Sequence, residues 1–90
     1  MQQVRVLISG FVQGVGFRHF VRSEARKRSV TGWVCNTQDG GVEAILQGSK
    51  EKIEQMVQLC RKGPFLAEVK DVVVVWEDAK ERYEDFTVVA

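Results

Sequence analysis

Val4-Arg5-Val6-Leu7-Ile8-Ser9, then Gly10 to Gly16, then Phe17 to Arg28, form one unbroken stretch in which the apolar period changes once. The first six residues carry β-branched side chains at every second position, the pattern of a strand. Three glycines in the next seven residues break it into a loop. From Phe17 onward Phe17, Phe20 or Val21, Ala25 and Arg28 recur at helical spacing, while Arg22, Arg26 and Lys27 face away. A strand, a glycine loop and a helix of about three turns therefore open the chain.

Working outward, Val30 to Thr37 is rich in β-formers and predicts a second strand. Gln38-Asp39-Gly40 supplies a hairpin turn, and Gly41 to Gln47 the partner strand. Ser49 is placed as a helix N-cap. Ile53, Met56, Val57 and Cys60 form an apolar stripe, so residues 50 to 62 predict a second helix, ended by Gly63-Pro64. Val69 to Trp76 reads as a strand buried at least partly on both faces. Glu77 to Glu84 is a charged loop, and Phe86 to Val89 a short last strand. The order β-α-β-β-α-β, with a possible fifth strand, predicts an α+β ferredoxin-like sandwich: an antiparallel sheet with both helices on one face. That fold serves enzymes, RNA binders and metal carriers alike, so function has to be sought in the loops.

Composition narrows the classes. Ninety residues predict one domain, residues 1–90, with a modest core. Thirteen basic residues against twelve acidic leave little net charge, where a general nucleic-acid or membrane binder needs a basic excess. Val72 to Trp76 is too short to span a bilayer, and the start, Met1 to Arg5, lacks the features of a signal peptide. A cytoplasmic monomer is the simplest expectation. Cys35 and Cys60 match no zinc or redox spacing and read as reduced thiols in a cytosolic chain. His19, the sole histidine, cannot build a metal site alone, and nothing calls for a cofactor.

The loop Gly10-Phe11-Val12-Gln13-Gly14-Val15-Gly16-Phe17-Arg18 joins the first strand to the first helix. Glycines permit positive φ and let several amide N–H groups converge, and the helix start adds the positive end of its dipole. Both favour a bound anion, phosphate being the usual one. Arg18 in the first helical turn opposes the dipole, at a cost of about 0.3–1 kcal/mol at an exposed site. An anion between the arginine and the helix start reverses that sign, and a guanidinium grips phosphate through paired hydrogen bonds. A glycine-rich turn beside a solvent-exposed arginine explains the spacing equally well. The glycines fit neither a Walker loop nor the dinucleotide fingerprint.

Strand alternation puts Val34 and Asn36 on one face and Trp33, Cys35 and Thr37 on the other. Val34 suits the helix-covered face, and Asn36 then falls on the same side, near the strand end where the first loop crosses. Its amide both donates and accepts, so it can orient a water molecule. By turn statistics alone, a polar strand-end residue completing the hairpin is the plainer reading.

Gly10-x-Val12-Gln13-Gly14-Val15-x-Phe17-Arg18, followed by Gly32-Trp33-Val34-x-Asn36 and Asp39-Gly40-x-Val42-Glu43, resembles the acylphosphatase family. Both signature segments match in order and separation, and Gly63-Pro64 and the Phe86 segment resemble the family's later half. The resemblance implies hydrolysis of the carboxyl-phosphate anhydride of a small acyl phosphate. It implies that Arg18 and Asn36 are catalytic, and that Gln13, Gly14, Val15, Gly16, Phe17 and Arg18 hold the phosphate. It assigns no role to His19, which a helical step turns about a quarter-turn from Arg18.

Two rivals remain. The basic face of the first helix (Arg18, Arg22, Arg26, Lys27, Arg28) and the shared fold suggest an RNA module, but Val42 to Leu46 lacks the aromatics on which such domains stack bases. A regulatory acylphosphatase-like domain of a larger carbamoyl-transfer protein is the other, and a chain with nothing beyond the domain favours the free enzyme.

Overall fold

The computed structural model describes residues 2–89; Met1 and Ala90, the outermost residues of the domain expected above, lie outside them. Seven elements follow one another: β1 (Gln2–Phe11), α1 (Phe17–Lys27), β2 (Thr31–Asn36), β3 (Val42–Gln47), α2 (Lys50–Lys62), β4 (Glu68–Asp78) and β5 (Phe86–Val88). The sheet order is β4-β1-β3-β2-β5. β1 pairs antiparallel with both β3 and β4, and β2 antiparallel with β3. The short fifth strand exists but runs parallel to β2, so the sheet is not wholly antiparallel.

The even-numbered positions of the central strands bind the layers. Val4, Val6 and Ile8 of β1 pair with Leu46, Ala44 and Val42 of β3. With Val34 they form one buried cluster with Phe17, Val21 and Ala25 of α1 and Ile53, Met56, Val57 and Cys60 of α2. Both helices therefore cover one face. α2 begins as its sequence predicts, with Ser49 Oγ accepting the Lys52 N–H at 3.2 Å.

The uncovered face carries a polar lattice. Arg5 bridges Glu43 and, at 3.2 Å, Glu77. Gln47 Nε2 donates to Gln3 Oε1 at 2.9 Å and to the Glu81 carbonyl at 2.7 Å, while its Oε1 accepts the Tyr83 N–H at 3.0 Å. Trp33 Nε1 donates to the Tyr83 hydroxyl at 3.1 Å. These bonds lay the 79–85 loop along the strand ends.

One expectation fails here. β4 is not buried on both faces: among the described residues it is an edge strand paired only with β1, and Val73 and Val75 are 46% and 42% exposed. An antiparallel sheet with helices on one side leaves its other side to water. The strand also runs on to Asp78, into the segment read as loop.

Candidate active site

α1 starts without a protein cap. Gly16 holds the N-cap position in a left-handed conformation (φ 81°), no side chain among the described residues caps the helix, and its first turn has no acid. The first helical bond runs from the Phe20 N–H to the Gly16 carbonyl at 3.0 Å. The N–H groups of Phe17, Arg18 and His19 thus have no acceptor within the helix. α2 differs, with Ser49 as its cap and Glu51 in its first turn. A positive helix end left bare is where an anion is stabilised.

In front of it lies a hollow of about 120 Å³ lined by Val12, Gly14, Gly16, Phe17, Arg18, His19 and Asn36. Gly14 (φ 75°) and Gly16 take left-handed conformations that an L side chain resists, although neither position is crowded. The glycines therefore serve the backbone path rather than close packing.

Arg18 reaches the hollow from the first turn of α1, and Asn36 from the last residue of β2. Both are half-buried. Among the described residues no carboxylate pairs with Arg18, nor with Arg22, Arg61 or Arg82, whereas Arg5, Arg26 and Arg28 have acidic partners. Its charge extends to Cys35: burial, and after it the Glu43 carboxylate, pushes the Cys35 thiol up, and Arg18 opposes them.

The remaining predicted residues divide between backbone and side-chain duty. The Phe17 ring is buried and meets Phe20 edge-on, centroids 6.0 Å apart, so only its backbone is available to the hollow. Val15 packs partly against the core. Gln13 does not line the hollow; its Nε2 donates to the carbonyls of Thr37 and Gly41, each at 2.8 Å. That leaves its backbone for an anion. His19, expected to turn away, also lines the hollow, although its ring is exposed with Nδ1 at 3.2 Å from Arg22 Nη2.

The hairpin after Asn36 is tightly bonded. The Gly41 N–H reaches Thr37 Oγ1 at 3.0 Å and Asp39 Oδ1 at 3.3 Å, and the Thr37 hydroxyl donates to Asp39. The Thr37 hydroxyl first, then the Gly41 N–H, hold the Asp39 carboxyl below its ordinary range. Nothing in the residue pattern marked Gln13 as the link to this turn, because a loop has no periodicity from which to read side-chain direction.

The acylphosphatase family model matches residues 4–88. The chain belongs to the acylphosphatase family, enzymes that hydrolyse acyl phosphates. It is 42% identical to the acylphosphatase of Salinibacter ruber over 87 residues, 97% of this chain and 92% of that one. The crystal structure of acylphosphatase from Bacillus subtilis superposes with a TM-score of 0.95 at 38% identity, covering 100% of both chains. HypF of T. kodakarensis matches with a TM-score of 0.88 at 30% identity, over 99% of this chain but 12% of that one. The acylphosphatase fold is thus similar both to short chains and to part of a much longer one.

Proposed function

We propose that the chain hydrolyses acyl phosphates in the hollow between the start of α1 and the end of β2, with Arg18 and Asn36 as its catalytic residues. In this reading Arg18 and the amides of residues 13–18 hold the phosphoryl oxygens, and Asn36 orients the attacking water. The observation that carries it is that Arg18, without an acidic partner among the described residues, shares one hollow with Asn36 and the uncapped helix start.

The chemistry asks for little more. The water oxygen forms a bond to phosphorus as the bond from phosphorus to the acyl oxygen breaks. The electron pair leaves on a carboxylate whose conjugate acid has a pKa of about 4, so no general acid is needed. A phosphate oxygen of the substrate takes the proton from water. The protein supplies positioning and charge stabilisation, the main needs of phosphoryl transfer.

The same proposal makes the protein a cytoplasmic monomer that binds neither nucleic acid nor membrane. Free thiols at Cys35 and Cys60 suit a reducing compartment. β3 offers no aromatic for base stacking. Lys70, Asp71 and Asp78 place charge along the β4 edge, and the other edge strand has only three residues, both devices that discourage strand addition.

Release of phosphate from benzoyl phosphate and acetyl phosphate, without added metal, tests the activity. Turnover well above that of Arg18→Ala is expected; turnover equal to it would remove the basis of the proposal.

A further inference from the structure

We infer that Gln13 is a positioning residue whose carboxamide fixes the phosphate loop to the β2–β3 hairpin and so sets the placement of Asn36 relative to the phosphate. This role rests on the reading of Arg18 and Asn36 given above. A primary amide has two N–H donors. Gln13 Nε2 sits 2.8 Å from the Thr37 carbonyl and 2.8 Å from the Gly41 carbonyl, so both donors are spent on the hairpin. Its remaining polar atom, Oε1, only accepts and would repel a phosphate oxygen. The side chain is therefore no phosphate ligand.

Its two ends lie one residue from the hollow. Gln13 stands between Val12 and Gly14, both of which line it, and Thr37 follows Asn36, which lines it from the other side. The hairpin that receives the amide is itself well defined. The Gly41 carbonyl also accepts the Thr37 N–H at 2.9 Å, and the Thr37 hydroxyl and Asp39 hold the turn. The mouth of the hairpin lies close against β1, since a Cβ on Gly41 would come within 2.7 Å of the Ile8 carbonyl oxygen. One nitrogen thus joins the loop that would carry the phosphate to the strand end that would carry the water. Misplacement by about 1 Å can cost on the order of a hundredfold in rate.

The test is steady-state hydrolysis of benzoyl phosphate, with inorganic phosphate as competitive inhibitor. Gln13→Met keeps length but has no donors. Its kcat should fall about 10- to 100-fold, while KM and the inhibition constant of phosphate change less than about threefold. The double variant Gln13→Met/Asn36→Ala should be no more than about twofold slower than Asn36→Ala alone, because a clamp that acts through Asn36 has nothing left to position. Additive losses, loss of phosphate affinity in step with kcat, or an unchanged kcat would each overturn the role. Should Gln13→Met not fold, Gln13→Glu decides: protonation restores one O–H donor, so its turnover relative to the parent should rise as the pH falls toward about 5, near the carboxyl's ordinary range. A flat ratio overturns it. Arg18→Ala separates the two claims. Full turnover in Arg18→Ala defeats the active-site reading, whereas loss there with full turnover in Gln13→Met defeats the clamp alone.

Discussion

Arg18 and Asn36 come from different elements, the first turn of α1 and the last residue of β2, and line one hollow. Their proposed duties differ, so their variants should differ. Arg18→Ala should weaken inhibition by inorganic phosphate and lower kcat/KM on the order of 10²–10³-fold, the usual cost of a lost charge-stabilising donor. Asn36→Ala should lower kcat by a similar factor and leave phosphate inhibition nearly unchanged. Equal loss of both quantities in Asn36→Ala would count against water positioning.

His19 lines the same hollow with its ring exposed, and the reaction as proposed gives it no task. His19→Gln should keep kcat/KM within about twofold of the parent across pH 5–8. Loss of turnover in the folded variant would mean that an imidazole, rather than the substrate, takes the proton.

The cap of α2 offers a stability measurement away from the site. Ser49→Ala removes the acceptor of the Lys52 N–H and should cost about 1 kcal/mol, read as a lower urea midpoint at unchanged m-value. Because no residue of α2 lines the hollow, activity under native conditions should not change.

Gln47, 3% exposed, serves three partners at once: Gln3, the Glu81 carbonyl and the Tyr83 N–H. Gln47→Leu leaves these groups without it, at about 1–3 kcal/mol for each that stays buried and unsatisfied. Hydrogen exchange should show the Tyr83 amide losing protection first. A variant as stable as the parent, with Tyr83 still protected, would mean that water replaces the whole network.

Burial pushes the Cys60 thiol from 9.0 up to about 12. The unfolded chain therefore releases this proton first. The contribution to stability is whole below pH 9 and is lost as the pH rises from there toward 12. Within that window the protein should lose about 1.4 kcal/mol per pH unit more than Cys60→Ala does, the linkage slope for one proton. Unfolding curves at pH 8 and pH 10 measure the difference, and parallel loss in both proteins would contradict it.

Much of this molecule was legible in its residues. The change of period at Phe17 and the stripe of Ile53, Met56, Val57 and Cys60 located both helices, because a helix buries one face whatever lies opposite. Val69 to Trp76 was misread because a run of valines records a preference for extended backbone and says nothing about whether one neighbour or two will pair with it. Sheet position is a property of the whole chain. In the candidate site, Asn36 could be placed by strand alternation from Val34. Gln13 could not: its bonds to Thr37 and Gly41 cross between segments far apart in the chain.

The central position of β1 also governs the order in which the protein can be completed. β1, the earliest strand among the described residues, pairs at its start with the far end of β4, Gln2 opposite Asp78. Val4, Val6 and Ile8 cannot gain both of their neighbours until Val72, Val74 and Trp76 have left the ribosome. Contacts of such long sequence separation make folding slow, since the entropy of closing the loop is spent before the pairing stabilises anything. The glycine loop proposed to hold the phosphate hangs from the end of this same strand. Catalytic competence should therefore arrive late in folding, after the last long strand has docked, and a stalled or shortened chain would hold the motif without the enzyme.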